Sequence, residues 1–246
     1  MDRLIYTAMT GASASDNRQA VLANNLANVS TNGFRAEMST FRSVPVRGDG
    51  SSTRVMAIEA TPGFSDIPGS PQRTGRAMDA MTTGNSWFGV QGLDGTEAYT
   101  RNGSFEVAAD GTLKTNNGLT VLSDGGAPIT VPAGGEVTLG SDGTLTAKVG
   151  NQPPTGIGRL KLATPTAEDP LRRGGDGLFR TSSGEPMTND ANARLQLGVI
   201  EGSNVNAVET MVQMIQAARQ FDTQTRLMTT AEADDRAAAQ LLSMQG

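Results

Sequence analysis

Residues 23–35 read Ala-Asn-Asn-Leu-Ala-Asn-Val-Ser-Thr-Asn-Gly-Phe-Arg, and this stretch marks the end of a long helix. The helix is predicted because mostly apolar residues recur at alternating spacings of three and four, as in a coiled-coil seam. Asn and Gly then tolerate the left-handed conformation that closes a helix. We therefore expect this helix to stop near residue 30. The seam positions are Met1, Ile5, Ala8, Ala12, Ser15, Gln19, Leu22, Leu26 and Val29.

A second helix is predicted at the other end of the chain. Asn206 is suited to cap its start, and Glu209 follows three residues later, as in a capping box. Two apolar lines follow side by side, and one partner helix would not cover both. The first line is interrupted at Glu232 and Asp235. The first line comprises Met211, Met214, Ala218, Phe221, Thr225 and Met228, and the second comprises Val205, Val208, Val212 and Ile215.

The centre of the chain, residues 84–198, is predicted to be an all-β domain, because short strand-like runs follow one another without a helical stretch. Asp-Gly pairs and the pair Asn102-Gly103 separate many of these runs, and such pairs accept the positive φ angles of tight hairpin turns. The predicted strands are 86–91, 98–107, 112–114, 119–122, 129–131, 136–139, 144–148, 160–163 and 195–200, and the Asp-Gly pairs lie at 94–95, 110–111, 124–125, 142–143 and 176–177.

Residues 36–83 have the Pro, Gly, Ser and Thr content of an extended connector, in which we expect loops and a hairpin around residues 55–59. The predicted fold class is therefore α+β. The N- and C-terminal helices form a coiled-coil-like domain, and the central domain consists of short antiparallel strands. The predicted boundaries are 1–35 for the N-terminal helix, 36–83 for the connector, 84–198 for the β-rich domain and 199–246 for the C-terminal helix.

The sequence leaves two arrangements of the helices open. They can pack as a hairpin on the β-domain of a monomer, or they can pack with helices of other subunits. A two-helix seam that contains Ser15, Gln19, Thr225 and many Ala residues buries little apolar area. Since apolar burial contributes about 25 cal/mol per Å², such a pair favours further helices around it.

The composition excludes many kinds of chemistry. The chain has no Cys and no His, which excludes disulfides, thiol nucleophiles, imidazole zinc sites and the common nucleophile–base pairs. It also lacks a nucleophile elbow, a phosphate loop and a dinucleotide-binding motif. A Ser-Lys pair would need Lys114, Lys148 or Lys161, which fall in predicted strands and are expected on a solvated face. We expect no catalytic, metal-binding or cofactor-binding residue and no cofactor, although the 25 acidic residues leave a glycosidase-type carboxylate pair open.

The charge distribution also limits the partners. The net charge is −5 without a block of like charge, which argues against nucleic acid as a partner. No run approaches the roughly 18 apolar residues of a membrane span, so we expect no direct membrane insertion. The N-terminus lacks the basic and apolar regions of a signal peptide. If the chain is exported, we expect a route without a cleavable signal peptide.

Three stretches together resemble the bacterial flagellar axial proteins, the family of rod and hook subunits. Residues 23–35 resemble the rod signature of that family, residues 201–209 resemble the start of its C-terminal helix, and residues 99–113 resemble its β-domain. The resemblance covers nearly the whole chain, although residues 76–81 match only loosely. Trp87 and the two chain ends resemble the proximal-rod members, and the distal-rod members are the alternative.

This resemblance implies a structural subunit of the basal-body rod, exported by the flagellar type III apparatus. Its terminal helices would line an inner helical tube, with the β-domain outside, and the rod would carry torque through the periplasm from rotor to hook. Its partners would be other rod subunits and copies of itself. The assembly interface would comprise Ile5, Ala8, Ala12, Leu22, Asn24, Asn25, Leu26, Asn28 and Val29 on the first helix, and Val205, Val208, Met211, Val212, Met214, Ile215, Ala218, Phe221 and Met228 on the last.

A function of a different class is a secreted β-domain that binds cell-wall glycan. Trp87 and Tyr99 would then stack on sugar rings. Aromatic side chains dominate core energetics, and this chain has few of them, so packing is the favoured role for Trp87.

Overall fold

The computed structural model describes residues 2–45, 55–59 and 63–243. The chain forms two compact units. The helical unit comprises Met1–Val29, Ala36–Ser65 and Val205–Gly246, and the β-rich unit comprises Ser30–Arg35 and Asp66–Asn204. The chain passes between the two units four times, after residues 29, 35, 65 and 204. The predicted α+β class is confirmed.

The described residues of the helical unit form two long helices and four short strands. Helix α1 packs against helix α2 and against strand β3. Strands β2 and β3 pair in antiparallel register from Phe41 opposite Glu59 to Pro45 opposite Val55, which confirms the hairpin expected there. Strand β1 pairs with β4. The elements are α1 (Asp2–Ala27), β1 (Glu37–Met38), β2 (Phe41–Pro45), β3 (Val55–Glu59), β4 (Gly63–Phe64) and α2 (Ala207–Ser243).

The ends of the two helices follow from local chemistry. Helix α2 starts directly after Asn206, whose Oδ1 accepts hydrogen bonds from the backbone N–H groups of Val208 and Glu209, at 3.1 and 3.2 Å. The predicted N-cap is therefore confirmed. Helix α1 ends at Ala27, close to the predicted residue 30. Gly33 alone in residues 23–35 has the left-handed conformation, at φ 71°, so the predicted left-handed Asn is wrong.

The β-rich unit is antiparallel in every strand pair that its described residues form. Its largest sheet has the order β16-β17-β8-β7-β11-β10-β9, with β15 also paired to β7. Strands β12, β13 and β14 form a second sheet. The strands are β5 (Pro71–Arg73), β6 (Ala80–Thr82), β7 (Trp87–Gln91), β8 (Glu97–Thr100), β9 (Phe105–Val107), β10 (Leu113–Thr115), β11 (Thr120–Val121), β12 (Gly135–Leu139), β13 (Thr144–Val149), β14 (Thr155–Arg159), β15 (Leu162–Ala163), β16 (Leu171–Arg173), β17 (Phe179–Thr181), β18 (Leu195–Leu197) and β19 (Val199–Glu201).

The core of the β-rich unit is tightly packed around aromatic and branched side chains. Phe88 and Phe105 meet edge to face, with ring centroids 5.1 Å apart. Leu113, Leu145 and Leu160 are fully buried in the same cluster. A cluster of this kind contributes most of the stability of a β-domain, because each buried side chain removes a large apolar area from water.

The Asp-Gly turns share one hairpin geometry. In the turn at 92–96, Gly92 and Thr96 close a three-residue loop, Gly95 has φ 79°, and Asp94 Oδ1 accepts a hydrogen bond from the Thr96 N–H. This is a type I turn followed by a left-handed Gly. The same pattern recurs at Gly111, Gly143 and Gly177, which confirms four of the predicted turns.

Some predicted strands and turns are wrong in detail. The predicted strand 98–107 is two strands, because Asn102 and Gly103 lie buried between them and not in a tight turn. A side chain at Gly103 would collide with the carbonyl oxygen of Ala80, 1.7 Å from the added carbon. Gly125 does not have a positive φ either; its neighbour Gly126 does. The predicted strand 195–200 also splits, and 129–131 forms only isolated bridges, whereas β14, β16 and β17 were not predicted.

Candidate assembly surface

Helix α1 buries a row of small side chains along one side. Ala8, Ala12, Ser15 and Leu22 are buried, at the spacings of four, three and seven that the seam predicted. The side chain of Gln224 on α2 lies so close to Gly11 that an added Cβ would come within 3.0 Å of its Cδ. Small residues in this row therefore let the two helices approach closely.

The buried row of α2 is displaced by one residue from the predicted first line. Thr210, Ala217 and Ala231 are buried, whereas Met211 is exposed. At the predicted interruption Glu232 is exposed, the buried row ends at Ala231, and no residue of 232–240 is buried. The cause of the displacement is the small size of Ala217 and Ala231, which suits close packing better than the larger methionine does.

Three of the four residues of the second predicted line of α2 are exposed in the single chain, together with Met211 of the first line, whereas Val205 is partly buried. Val208 is 73% exposed, Ile215 is 56% exposed, and Met211 and Val212 are both half exposed. These four residues form what we call the α2 stripe, since positions 208, 211, 212 and 215 fall on one side of a helix. Contiguous apolar side chains at this exposure are typical of an interaction surface.

The remaining predicted interface residues fall into two groups. Asn24 and Phe221 are exposed, and Phe221 lies among the larger exposed apolar side chains. A second group is partly buried in the single chain, and its members are Ile5, Leu26, Asn28, Val29, Val205, Met214, Ala218 and Met228.

The asparagines at the end of α1 bind the strand that follows it. Asn25 is buried; its Oδ1 accepts from the Glu37 N–H at 2.8 Å and its Nδ2 donates to the Glu37 carbonyl at 2.9 Å. The side-chain amide thus pairs with β1 as a neighbouring strand would. Asn24 Nδ2 donates to the Glu37 carboxylate at 2.9 Å, and Asn28 Nδ2 donates to Asn24 Oδ1 at 3.0 Å. Asn25 therefore has a structural role within the chain.

A cluster of charges is buried in the β-rich unit, in the segments that lead into the helices. We call Arg35, Arg101, Glu201 and Trp87 the root cluster. Arg35 lies 2.7 Å and Arg101 3.7 Å from the Glu201 carboxylate, and the Arg35 and Glu201 side chains are at most 1% exposed. The guanidinium carbons of the two arginines lie 5.8 and 5.2 Å from the Trp87 ring centroid, within range of a cation–π interaction.

Burial dominates the electrostatics of the root cluster. Desolvation lowers the pKa of Arg101 to about 10 and also lowers the pKa of Arg35, while the charges of Glu201 and Asp66 oppose both shifts. The Glu201 carboxylate thus forms ion pairs with both arginines and offsets part of the cost of burying their charges. Sequence reasoning missed this cluster, because its members are separated by up to 166 residues, from Arg35 to Glu201.

The aromatic residues considered for sugar binding are both buried. Trp87 and Tyr99 are each 1% exposed, and Trp87 packs against Phe179 with a centroid distance of 4.6 Å. The prediction that they stack on sugar rings at the surface is therefore wrong, and the core role is confirmed. Tyr99 donates to Glu97 and accepts from the Met187 N–H at 2.6 Å; burial raises the pKa of its hydroxyl.

Lys161 is also buried, contrary to the predicted solvated face. Its Nζ lies 2.7 Å from a Glu97 carboxylate oxygen, and this ion pair compensates the cost of burying the charge. Among the described residues there is no group of three His, Cys, Asp or Glu side chains that could hold a metal ion. None of the described helices is long and apolar enough to cross a membrane.

Comparison with known proteins matches the two helices and the β-rich unit to one family. Residues 5–35 match the family described as flagella basal body rod protein. Residues 81–147 match the D1 domain of flagellar hook protein FlgE/F/G, and residues 196–241 match the C-terminal region of flagellar basal body rod FlgEFG protein. The chain is 43% identical over 253 residues to flagellar basal-body rod protein FlgF of Salmonella typhimurium, covering 99% of this chain and 100% of the relative.

This chain belongs to the flagellar basal-body rod protein family. FlgF of Escherichia coli is also 43% identical, with 99% of this chain and 100% of the relative covered. FlgG of Buchnera aphidicola is 32% identical over 93% of this chain and 95% of the relative, so the FlgG-type alternative is weaker. As a member of this family, the rod protein is a structural subunit of the basal body and not an enzyme.

Proposed function

We propose that this rod protein is a proximal-rod subunit that transmits torque from the rotor towards the hook. Helices α1 and α2 would form a coiled-coil-like core, packed with the helices of neighbouring subunits into an inner tube. The β-rich domain, residues 84–198, would lie outside, and residues 36–83 would connect the two. The chain would reach this place through the flagellar type III export apparatus.

The observation that carries this proposal is the uncovered α2 stripe. The side of α2 that is buried within the chain carries small residues such as Ala217. On the α2 stripe, by contrast, Val208 and Ile215 are exposed. Repeated, non-closing contacts in a helical tube would give each α2 a second neighbour that covers the stripe. The predicted interface residues of both helices are part of this proposal.

The test is to follow the chain into flagellar basal bodies. Detergent-extracted basal bodies from cells that produce a tagged chain are separated, and the chain is detected by mass spectrometry and located by antibody labelling. We expect the label in the rod segment nearest the inner membrane. Label only in the distal segment would favour a distal-rod role, and a chain absent from basal bodies would contradict the rod function altogether.

A matched pair of variants tests the surface. Leu26→Asp places a charge on the partly buried seam of α1, and Ala23→Asp, the matched control, places the same charge on a nearby exposed position outside the predicted interface. We expect Leu26→Asp to prevent rod assembly and motility, because an unpaired charge would be buried in the assembled tube. Normal rods from the Leu26→Asp variant would contradict the assignment of the seam.

A further inference from the structure

At three of the four points where the chain passes between the two units, the neighbouring residues belong to the root cluster or are bonded to its segments. The passages follow residues 29, 35, 65 and 204. Arg35 stands directly at the second passage, and its guanidinium donates hydrogen bonds to the carbonyl of Asp66, at 3.2 Å, and to that of Ile67. Asp66 and Ile67 follow the third passage. The Arg35 side chain thus joins the last residue before segment 36–65, which belongs to the helical unit, to the first residues after that segment.

The fourth passage is bonded to the same segments. Asn204, the last residue before it, donates from its backbone N–H to the Phe34 carbonyl at 3.3 Å and from Nδ2 to the Ile67 carbonyl at 2.8 Å. The Gly33 N–H donates to the Glu201 carbonyl at 2.7 Å. The segments 30–35, 66–70 and 199–204 therefore form one bonded group, which we call the crossing segments.

Glu201 joins the crossing segments to the strands of the β-rich unit. Its Oε1 contacts Arg35 at 2.7 Å and accepts from the Gly69 N–H at 3.0 Å, while its Oε2 lies 3.7 Å from Arg101. Arg101 in turn donates to the hydroxyl of Thr82 and to the carbonyl of Gly84, the latter at 2.7 Å. Removal of the Glu201 charge would leave two buried guanidinium groups without their central partner.

We propose that Glu201 is a positioning residue for force transmission, which clamps all three crossing segments to one point of the β-rich unit. This inference rests on the proposed rod function, because only a loaded subunit needs such a clamp. A force carried by the covalent chain between the two units has to pass through the crossing segments. Flexible linkers at these places would absorb it, whereas a buried, bonded charge network holds them in one geometry.

The first experiment measures amide hydrogen exchange in the purified full-length chain. The reporters are the bonded N–H groups of Gly33, Gly69, Gly202 and Asn204. In Glu201→Gln we expect their exchange to become faster by roughly a hundredfold. The matched control is Glu97→Gln, which weakens a separate ion pair of the β-rich unit, that of Glu97 with Lys161. The control should leave the reporters as in the unmodified chain.

Arg35→Lys provides a second variant in case Glu201→Gln does not fold. It keeps the positive charge next to Glu201 but loses the planar donors that reach two carbonyls at once. We expect the same four N–H groups to exchange faster, by about tenfold. The proposed clamp is wrong if these four N–H groups exchange in both folded variants at the same rate as in the unmodified chain. If Glu201→Gln does not fold, the same result in Arg35→Lys alone contradicts the proposal.

The second experiment measures motor rotation at low and at high load. Each variant is compared at the same temperature interval below its own melting midpoint, so that a general loss of stability does not decide the result. We expect the Glu201→Gln or Arg35→Lys rods to turn normally at low load and to lose torque near stall, with Glu97→Gln normal at both. Faster exchange with full torque near stall would overturn the force-transmitting role. Hydrogen exchange is measured on the isolated chain, so its result on the bonding of the crossing segments does not depend on the rod function. Absence of the chain from basal bodies would overturn the rod function and leave the exchange result unchanged.

Discussion

The two units of this rod protein differ in what they bury. The β-rich unit buries its aromatic residues and most of its leucines, such as Phe88 and Leu145, within a single chain. The helical unit buries mainly small residues, such as Ala12 and Ala217, and leaves larger ones, such as Ile215, in water. The difference indicates that the β-rich unit is complete as a monomer, whereas the helical unit is built to gain further apolar contacts on assembly.

The largest expected effect comes from a charge on the α2 stripe. Ile215→Asp should abolish rod assembly and motility while the melting of the isolated chain stays nearly unchanged, since Ile215 is exposed in the single chain and would be buried in the rod that we propose. Counting of rods by electron microscopy and a thermal melt of the purified chain check both parts. Gln220→Asp is the control, because it adds the same charge on another exposed side of α2. Equal loss of assembly in both variants would contradict the special role of the stripe.

A core truncation should act on the other unit. Phe88→Ala is expected to reduce the free energy of unfolding by about 3–5 kcal/mol, because it removes a fully buried ring and leaves a cavity. Urea titration followed by the fluorescence of Trp87, the single tryptophan, reports on the β-rich unit. Val208→Ala is the comparison and should cost little, as its side chain is 73% exposed. Similar losses in both variants would remove the contrast between the units.

A smaller effect is expected where α1 binds β1. Asn25→Asp should destabilise the helical unit by about 1–3 kcal/mol, because the carboxylate cannot donate to the Glu37 carbonyl and leaves a buried acceptor without its partner. Hydrogen exchange at the Glu37 N–H, compared with exchange at Gly143 in the β-rich unit, measures this locally. Ala23→Asp is the exposed control, because it adds a carboxylate to α1 without removing a side chain that bonds β1. The contrast fails if exchange at Gly143 rises as much as that at Glu37.

The smallest expected effect is on how much thermal stability the protein loses at low pH. Hydrogen bonds from the Thr144 hydroxyl and N–H lower the pKa of Asp142 below its ordinary value of 3.8. A carboxyl whose pKa is lowered in the folded state contributes stability above its unfolded value, and that contribution is lost as the pH falls through the folded pKa. Between pH about 5 and about 2, Asp142→Asn should therefore lose slightly less thermal stability than the unmodified chain. Identical losses would show that the turn does not contribute.

Helix caps and tight turns were predictable from the sequence because the donor and the acceptor of each hydrogen bond lie within a few residues of each other. Asn206 caps α2 through N–H groups two and three residues away, and Asp94 binds the N–H of Thr96 within its own turn. Asn102-Gly103 has the sequence of a tight turn, but its conformation is fixed by the close approach of Gly103 to Ala80, which lies 23 residues earlier. Lys161 was placed in solvent because its partner Glu97 lies 64 residues away. Long-range contacts of this kind leave no periodic signal in the sequence.

The sequence by itself determined the two terminal helices, the cap that starts α2, the antiparallel β-rich centre and the family, because these depend on short-range periodicity and motifs. It also determined that α2 has more apolar surface than one helix can cover. Only the tertiary structure decided which side of α2 turns inward. That choice depends on the fit between opposing surfaces: Gly11, Ala12 and Ala217 allow close approach, so the larger side chains of the α2 stripe remain outside. The root cluster likewise exists only in three dimensions, since folding alone brings Arg35, Arg101 and Glu201 together.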